Sequence, residues 1–135
     1  MAEPRTNLDV VREGYDHFNA GDMGWLFDTL APEVVWEDEA KMPDSRVYRG
    51  REDVERYLGS FFRHWEKLRW EVEEVQEVGD DQVLSFVRFV ATGRVSGAEV
   101  NAEIAHLYEM RDLKVLRVQT FFDRAAARGA AGLQG

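Results

Sequence analysis

The residue whose type and position best suit chemistry is Asp38, in the acidic tripeptide Glu37-Asp38-Glu39 that follows the apolar run Val34-Val35-Trp36. A hydrophobic strand that ends at a carboxylate can hold one acid or base at the edge of an apolar pocket. A carboxylate there loses hydration, so its pKa rises and it can transfer a proton or activate a water molecule. We therefore predict that Asp38 is a general acid/base if its side chain points inward. The alternative is a solvated carboxylate at a strand end.

Other kinds of reactive centre have little support in the sequence. The chain has no cysteine, which excludes thiolate catalysis, disulfides and cysteine zinc sites. Its three histidines, His17, His64 and His106, share no metal-ligand spacing, so no metal is predicted. The serines have no neighbouring histidine pattern and there is no glycine-rich phosphate loop, so we expect no cofactor.

The overall charge restricts the possible partners. With 17 basic and 26 acidic residues the net charge is −9, and no Lys/Arg stripe stands out, so nucleic acid is not an expected partner. No apolar run approaches the ~20 residues that span a bilayer, and Met1–Arg5 lacks the apolar core of a signal peptide. We therefore expect no membrane partner. Because the absence of cysteine fits a reducing compartment, we also expect a cytoplasmic location.

Apolar residues at helical spacing predict three helices ahead of a sheet. The first has an apolar face from Leu8 to Phe18 and is broken at Asn19-Ala20-Gly21. A short second helix is capped by Asp22 and ended by Pro32, and the third runs from Arg51 to about Trp65.

Alternating patterns predict strands in the rest of the chain. The two short ones are Val34–Asp38 and Val47–Arg49, separated by a loop from Glu39 to Arg46. Four long strands joined by short turns follow and form an antiparallel meander, namely Leu68–Val78, Gln82–Thr92, Glu99–Met110 and Val115–Phe122. The helices must cover the apolar face of this meander, so we predict an α+β fold in a single domain of residues 1–124, with a disordered Ala/Gly-rich tail at 125–135.

This layout resembles the nuclear-transport-factor-2-like superfamily, in its SnoaL-like and ketosteroid-isomerase-like branch. The matching features run from Asn7 to Arg124. They are Asn19-Ala20-Gly21-Asp22, the Leu30–Trp36 transition, Tyr48-Arg49-Gly50-Arg51-Glu52, Lys114-Val115 and Phe122-Asp123. The resemblance implies a cone-shaped, strongly bent antiparallel sheet wrapped around three helices (the cystatin-like fold), with a cavity between them. The fold hosts both enzymes and non-catalytic modules, so it does not determine the activity.

Within that resemblance, Asp38 matches the general base of the ketosteroid isomerases. Those enzymes stabilise an enolate with a tyrosine on the first helix and a protonated aspartate on the penultimate strand. The matching positions here are Gly14 and Ala105, whose side chains donate nothing, and Tyr15 is one residue along on a different helical face. Without these donors an enolate would lack its main stabilisation, so a true steroid isomerase is not expected.

The polyketide-cyclase-like branch implies an inward aspartate and a histidine on the last strands. His106 and Asp123 are the nearest candidates. If Ala105 points into the cavity, strand alternation turns His106 outward, where it would lie on the outer face or in a dimer interface. With Thr120 and Phe122 inward, Asp123 falls at the rim, as a site residue or a strand-end cap.

Large rings are expected to converge on the cavity and suit a flat apolar small-molecule ligand, although several could equally be ordinary core. Tyr57 could add a hydroxyl. The predicted lining is Tyr15, Phe18, Trp36, Phe61, Trp65, Phe86, Ala105, Thr120 and Phe122.

Two functions follow as alternatives. One is a cofactor-independent isomerase, cyclase or hydrolase that uses Asp38. The other is a non-catalytic ligand-binding or dimerisation module. Because the strands are apolar on both faces, as at Phe86 and Val90 against Val87 and Phe89, we expect a homodimer through the outer sheet face, as the resemblance also implies.

Overall fold

The computed structural model describes residues 5–38 and 47–133. The predicted loop from Glu39 to Arg46 and the last two residues of the tail lie outside this part. The helices are α1 (Asn7–Asn19), α2 (Met23–Asp28), α3 (Arg51–His64) and α4 (Arg124–Ala130). The strands are β1 (Leu30–Glu37), β2 (Val47–Arg49), β3 (Trp65–Val78), β4 (Gln82–Gly93), β5 (Glu99–Arg111) and β6 (Lys114–Phe121).

All six strands form one sheet in the order β2-β1-β6-β5-β4-β3. The four long strands make the predicted antiparallel meander. The expectation of a wholly antiparallel sheet is wrong, because β1 pairs parallel with β6. These two strands are separated by α3 and the rest of the meander, and such a long connection allows the parallel direction. The predicted α+β class is confirmed, with a mixed sheet.

The first strand begins earlier than its sequence pattern indicates. Pro32 was expected to end the second helix, but α2 ends at Asp28 and β1 already begins at Leu30. Pro32 is exposed and lies where the β1–β6 register shifts between Leu30 and Val35. A proline is tolerated in a strand where the hydrogen-bond ladder is interrupted, since it has no N–H to donate.

Side-chain hydrogen bonds fix both ends of α1, and those at its C-terminal end join it to the sheet. Thr6 forms a capping box, in which its side chain accepts from the Asp9 amide while the Asp9 carboxylate accepts from the Thr6 amide. At the other end, the Asn19 side chain donates to the Trp70 carbonyl at 2.9 Å and accepts from the Trp70 amide at 2.8 Å. None of the described helices is long and apolar enough to cross a membrane.

The two faces of the sheet pack against different helices. The inner face meets α1 to α3 in the main core, which includes Tyr15, Val54 and Phe89. The outer face forms a second cluster with α4 and its C-cap, in which sheet residues pack around one alanine from each. Its buried members are Leu84, Phe86, Ala105, Leu107, Ala127 and Ala131.

The predicted disordered tail is therefore wrong for α4. Asp123 caps the helix by accepting from the Ala125 amide at 2.9 Å. Arg124 forms an ion pair with Glu73 at 2.6 Å, and its guanidinium lies 5.0 Å from the centre of the Phe86 ring. The alanines that suggested fraying are small enough to let the helix approach the sheet closely, which the composition alone did not reveal.

We expect Ala127→Asp to remove α4 from the sheet. Ala127 has no exposed surface, and an unpaired carboxylate there would have to be buried or the helix would undock. The free energy of unfolding, measured by urea denaturation, should fall by at least about 2 kcal/mol. The matched control is Ala126→Asp on the exposed side of the same helix, which should change it by less than about 0.5 kcal/mol. Equal effects of the two substitutions would contradict the docked helix.

Candidate functional site

A cavity of about 240 Å³ lies between the inner sheet face and helices α1 to α3. Its wall is almost wholly apolar and contains many large rings. No lysine or arginine contributes to the wall among the described residues. The aromatic lining residues are Tyr15, Phe18, Trp25, Trp36, Tyr57, Phe61, Trp65, Trp70, Phe89, His106, Tyr108 and Phe122.

Asp38 lies at this wall, directly after β1, and its carboxylate is held by two donors. Oδ1 accepts from the indole Nε1 of Trp36 at 3.2 Å, and Oδ2 accepts from the Tyr57 hydroxyl at 3.0 Å. Burial raises the pKa of Asp38, while the hydrogen bonds from Tyr57 and Trp36 oppose that rise. Burial is the larger effect, so the pKa of this carboxyl group lies above that of an ordinary aspartate.

Tyr57 is positioned by α3, whose Val54 and Leu58 are buried in the core. Its ring stacks on Tyr48 with centroids 4.1 Å apart. Burial and the adjacent Asp38 charge raise the pKa of Tyr57, so its hydroxyl remains a donor to the carboxylate. The sequence suggested a hydroxyl group here without fixing its direction. In the structure this hydroxyl group points at the Asp38 carboxylate and donates to it.

His106 is buried at the same wall, with 3% of its surface exposed. Its Nδ1 lies 2.7 Å from the Tyr15 hydroxyl, which also contacts the Ser85 hydroxyl at 2.7 Å and accepts from the Tyr108 hydroxyl at 2.9 Å. Burial lowers the pKa of His106 from 6.5 to about 3, so the imidazole is neutral in the folded protein at neutral pH.

A polar row crosses the inner face of the sheet and consists of the side chains of Ser85, His106, Thr120 and Asp38. Ser85 on β4 pairs with His106 on β5, and His106 pairs with Thr120 on β6. Glu37 pairs with Gln119, so Asp38 follows in register beside Thr120. Ser85, His106 and Thr120 are the buried polar side chains of the described chain, and they lie in this one row.

Thr120 lies between His106 and Asp38 in the row. Its hydroxyl is buried and faces Asp38, where it lowers the pKa of that carboxyl group, although the two groups do not meet ordinary hydrogen-bond geometry. Asp38, directly after β1, and His106, on β5, therefore lie on either side of Thr120 on β6.

The expected orientation of His106 is wrong, and so are two of the predicted lining positions. Ala105 and Phe86 belong to the outer cluster under α4 and do not line the cavity. The alternation itself was right, but its phase had been set by placing Ala105 inward. Since successive strand residues face opposite sides, turning Ala105 out brings His106 in.

The remaining predicted positions fall into two groups. Asp123 does not line the cavity, because it is engaged as the cap of α4. The other predicted lining residues do lie at the wall, namely Tyr15, Phe18, Trp36, Phe61, Trp65, Thr120 and Phe122. Tyr15 had been considered a poor donor on a different helical face. Its hydroxyl instead contacts three side chains of the inner sheet face, those of Ser85, His106 and Tyr108.

Sequence reasoning missed Trp70, Ser85 and Tyr108. Trp70 lines the wall with its ring centre 5.2 Å from that of His106. Tyr108 shares the strand face of His106 by its i, i+2 spacing, a signal that the wrong phase of β5 concealed. Ser85 is a lone hydroxyl in the apolar run Val83 to Val87, which could have marked it as a buried polar partner.

The described residues contain no group of three or more His, Cys, Asp or Glu side chains that could hold a metal ion. The chemistry that the arrangement itself offers is proton transfer by a carboxyl group and hydrogen bonding by a neutral imidazole.

The sequence of residues 11–118 matches the SnoaL-like domain family. This range contains the cavity-wall residues from Val11 to Val118. The chain belongs to the SnoaL-like family. The suspected relationship is thus confirmed over most of the chain. A comparison with curated proteins gives no significant match.

Solved structures show the same fold. A candidate SnoaL-like polyketide cyclase from Jannaschia sp. is 19% identical, with 99% of this chain and 100% of that chain covered and a TM-score of 0.75. TerC, co-crystallised with polyporic acid, is 21% identical with 93% and 98% coverage and a TM-score of 0.74. A protein of ketosteroid-isomerase-like fold from Catenulispora acidiphila, in complex with trimethylamine, is 14% identical with 93% and 94% coverage and a TM-score of 0.74. The likeness confirms the expected NTF2-like, cystatin-like architecture of this SnoaL-like protein.

We expect the buried imidazole of His106 to make the protein sensitive to acid. Its folded pKa of about 3 lies below the ordinary 6.5, so between these values the unfolded state binds the additional proton. This contribution to stability is fully present above pH 6.5 and is lost as the pH falls toward 3. Urea denaturation at a series of pH values should show a loss of up to about 1.4 kcal/mol per pH unit from this group.

His106→Phe should lack that component, so the difference between variant and parent should change across pH 3 to 6.5. The control is His64→Gln, at an exposed position at the end of α3, which should run parallel to the parent. A His106→Phe profile that also runs parallel to the parent would contradict the neutral buried imidazole.

Proposed function

We propose that this SnoaL-like protein binds an apolar, carbonyl-bearing ring compound in the cavity and moves a proton on it, with Asp38 as general acid/base. The observation that carries the proposal is a half-buried carboxyl group, held by Trp36 and Tyr57, at the wall of an aromatic cavity. The carboxylate takes a proton from the carbon next to the carbonyl and returns it to the same compound. No cofactor or co-reactant is required for that exchange.

The wall residues support such a ligand by their chemistry. Flat rings pack well against aromatic side chains, and a wall without lysine or arginine among the described residues does not favour an anion. TerC, a structural relative, was crystallised with polyporic acid, and another relative is a candidate polyketide cyclase. Both relatives are compatible with a ring compound as the ligand class.

A ligand-binding protein without catalytic activity is the second candidate. It is favoured by the two positions that match the isomerase donors. Gly14 lines the cavity without a side chain that donates, and Ala105 points away from it. An enolate formed beside Asp38 would then depend on other groups for its stabilisation.

The homodimer remains a proposal of its own. The apolar outer residues that suggested it, such as Phe86, are covered by α4 within one chain. A dimer would have to use the uncovered part of the outer face, where Val35 and Val90 are half-buried. Light scattering at micromolar concentration should report twice the chain mass, and a single-chain mass would contradict it.

The catalytic proposal is tested by hydrogen–deuterium exchange at the α-carbon of 2-tetralone in D2O, followed by NMR. The protein should accelerate the exchange, and Asp38→Asn should lose at least roughly 100-fold of that acceleration. Binding, measured by quenching of the cavity tryptophans, should persist in Asp38→Asn. Binding without accelerated exchange in the parent would favour the second candidate, and absence of binding would contradict both.

The raised pKa of Asp38 is tested by a carboxylate-resolved NMR titration. Because burial dominates, its pKa should lie above the ordinary 3.9. Tyr57→Phe should raise it further, since the Tyr57 hydrogen bond favours the ionised form. The control is Tyr108→Phe, which removes a cavity phenol bonded to Tyr15 instead of Asp38. An ordinary pKa in the parent would count against acid/base catalysis.

A further inference from the structure

A second pocket adjoins the cavity and differs from it in chemistry. Its volume is about 200 Å³, close to the 240 Å³ of the cavity. The cavity wall is almost wholly apolar, whereas the second pocket is lined by exposed charged residues, namely Arg5, Asp28, Asp112 and Lys114. We call this second space the polar pocket. The residues between the two spaces decide whether one ligand can reach both.

Three residues line both spaces and form the dividing wall between them. They are Val10, Trp25 and Thr29. Val10 is buried in the main core, and the Thr29 carbonyl accepts from the Val115 amide at 2.8 Å. Trp25 has the largest side chain of the three and is only half-buried. Its indole ring is therefore the part of the dividing wall whose removal would most open the cavity to the polar pocket.

The Trp25 ring packs on helix α1. Gly14 lies beneath it without a side chain, and a Cβ atom at this position would be 3.8 Å from Cζ3 of Trp25. The ring of His17, three residues further along the same helix, stacks on the indole with centroids 4.2 Å apart and an angle of 9° between the planes. Residues three apart are neighbours on a helix surface, so Gly14 and His17 together support the indole.

Asp22 joins this contact to the start of α2. Its Oδ1 accepts from the Trp25 amide at 3.3 Å, which caps the helix, and its Oδ2 lies 3.0 Å from Nδ1 of His17. One carboxylate therefore contacts both the backbone of Trp25 and the ring on which the indole stacks. These contacts matter because α2, which the structure describes in full, has six residues and none of them is fully buried. Burial in the core alone does not hold Trp25 in place.

We infer that Trp25 is a specificity-determining residue whose indole closes the cavity toward the polar pocket and so limits the length of the ligand. His17 and Asp22 are positioning residues, because they act through Trp25. The inference rests on the proposed function for the class of ligand, a ring ketone, and adds a limit on the substituent that the ring can carry. A compact ketone fits within the cavity. The chain of a long linear ketone meets the indole.

The test measures the binding of linear phenyl ketones from acetophenone to decanophenone, each with and without a hydroxyl group at the end of the chain. Calorimetry is used because the variants change the tryptophan fluorescence. In the parent, affinity should rise with chain length and stop rising once the chain reaches the indole. In Trp25→Ala it should continue to rise, by up to roughly fourfold for each further buried methylene. The longest hydroxyl-terminated ketones should therefore gain at least roughly tenfold over the parent, while acetophenone gains less than about threefold.

The matched control is Trp65→Ala. Trp65 is a half-buried tryptophan of the cavity wall and is not among the described residues that line the polar pocket. Its removal enlarges the cavity without reaching charged groups, so a terminal hydroxyl would be buried in apolar surroundings. The long hydroxyl-terminated ketones should gain less than about threefold in this variant. Equal gains in the two variants, or no gain in Trp25→Ala, would overturn the inference.

His17→Ala separates a positioning role from a structural one. Without the stacked ring, the population of molecules with a displaced indole should rise roughly two- to tenfold, as expected for the loss of one aromatic pair. The affinity for the long hydroxyl-terminated ketones should rise by the same factor, since only the open form accepts them, and that for acetophenone should not. His17→Phe keeps a flat ring at this position and should restore the limit. An unchanged affinity for the long ketones in His17→Ala would overturn the positioning role.

The position of the indole can also be read in the unmodified protein, so the inference does not depend on whether a variant folds. Nuclear Overhauser contacts should join the ring protons of Trp25 to the α-protons of Gly14 and to the ring protons of His17. Their absence would overturn the dividing wall.

These measurements stand apart from the exchange assay, which depends on Asp38. The proposed reaction can fail while the length limit holds, and the limit can fail while exchange persists. Absence of binding by every ketone, to the parent and to Trp25→Ala alike, would overturn the ligand class and the length limit together.

Discussion

The register that joins β4, β5 and β6 is the constraint on which the candidate site depends. Because side chains alternate between the two faces, one register brings Ser85, His106 and Thr120 into a single inward row. A shift of one residue in the β4–β5 pairing would turn Phe86 or Ala105 toward the cavity and Ser85 or His106 toward α4. The apolar residues of the outer cluster and the polar residues of the row therefore support the same register from opposite sides.

Burial has opposite consequences for the two titratable groups of the row. It raises the pKa of the Asp38 carboxyl group and lowers that of the His106 imidazole, so both are pushed toward their neutral forms. The protein offsets part of this cost at Asp38 with two donors and satisfies His106 through the Tyr15 hydroxyl. Within the part of the chain that the structure describes, these polar groups thus sit in an apolar cavity without a buried ion pair, which would have needed further desolvation of charge.

Much of the fold could be predicted because its signals are periodic and local. The caps and apolar faces of α1 and α3 and the alternation of the meander determined the class and most of the elements. The parallel pairing of β1 with β6 could not be predicted, since it depends on contact between distant segments. Within the site, Asp38 and most of the aromatic wall followed from strand ends and helix faces. The phase of β5 did not, because apolar residues on both faces left alternation without a preferred direction until α4 supplied a second core.

The position of α4 has a consequence for how this cavity can vary. The neighbours of Ser85 are Leu84 and Phe86, and both are buried beneath α4. Ala105 and Leu107, which flank His106 in the chain, are buried there too. The backbone of the polar row is therefore held in place by packing on the outer face of the sheet, independently of the inward side chains that it carries. Substitution of an inward side chain would alter the chemistry of the cavity wall while the strands that carry it remain in place. The same backbone can therefore support walls that suit different ligands.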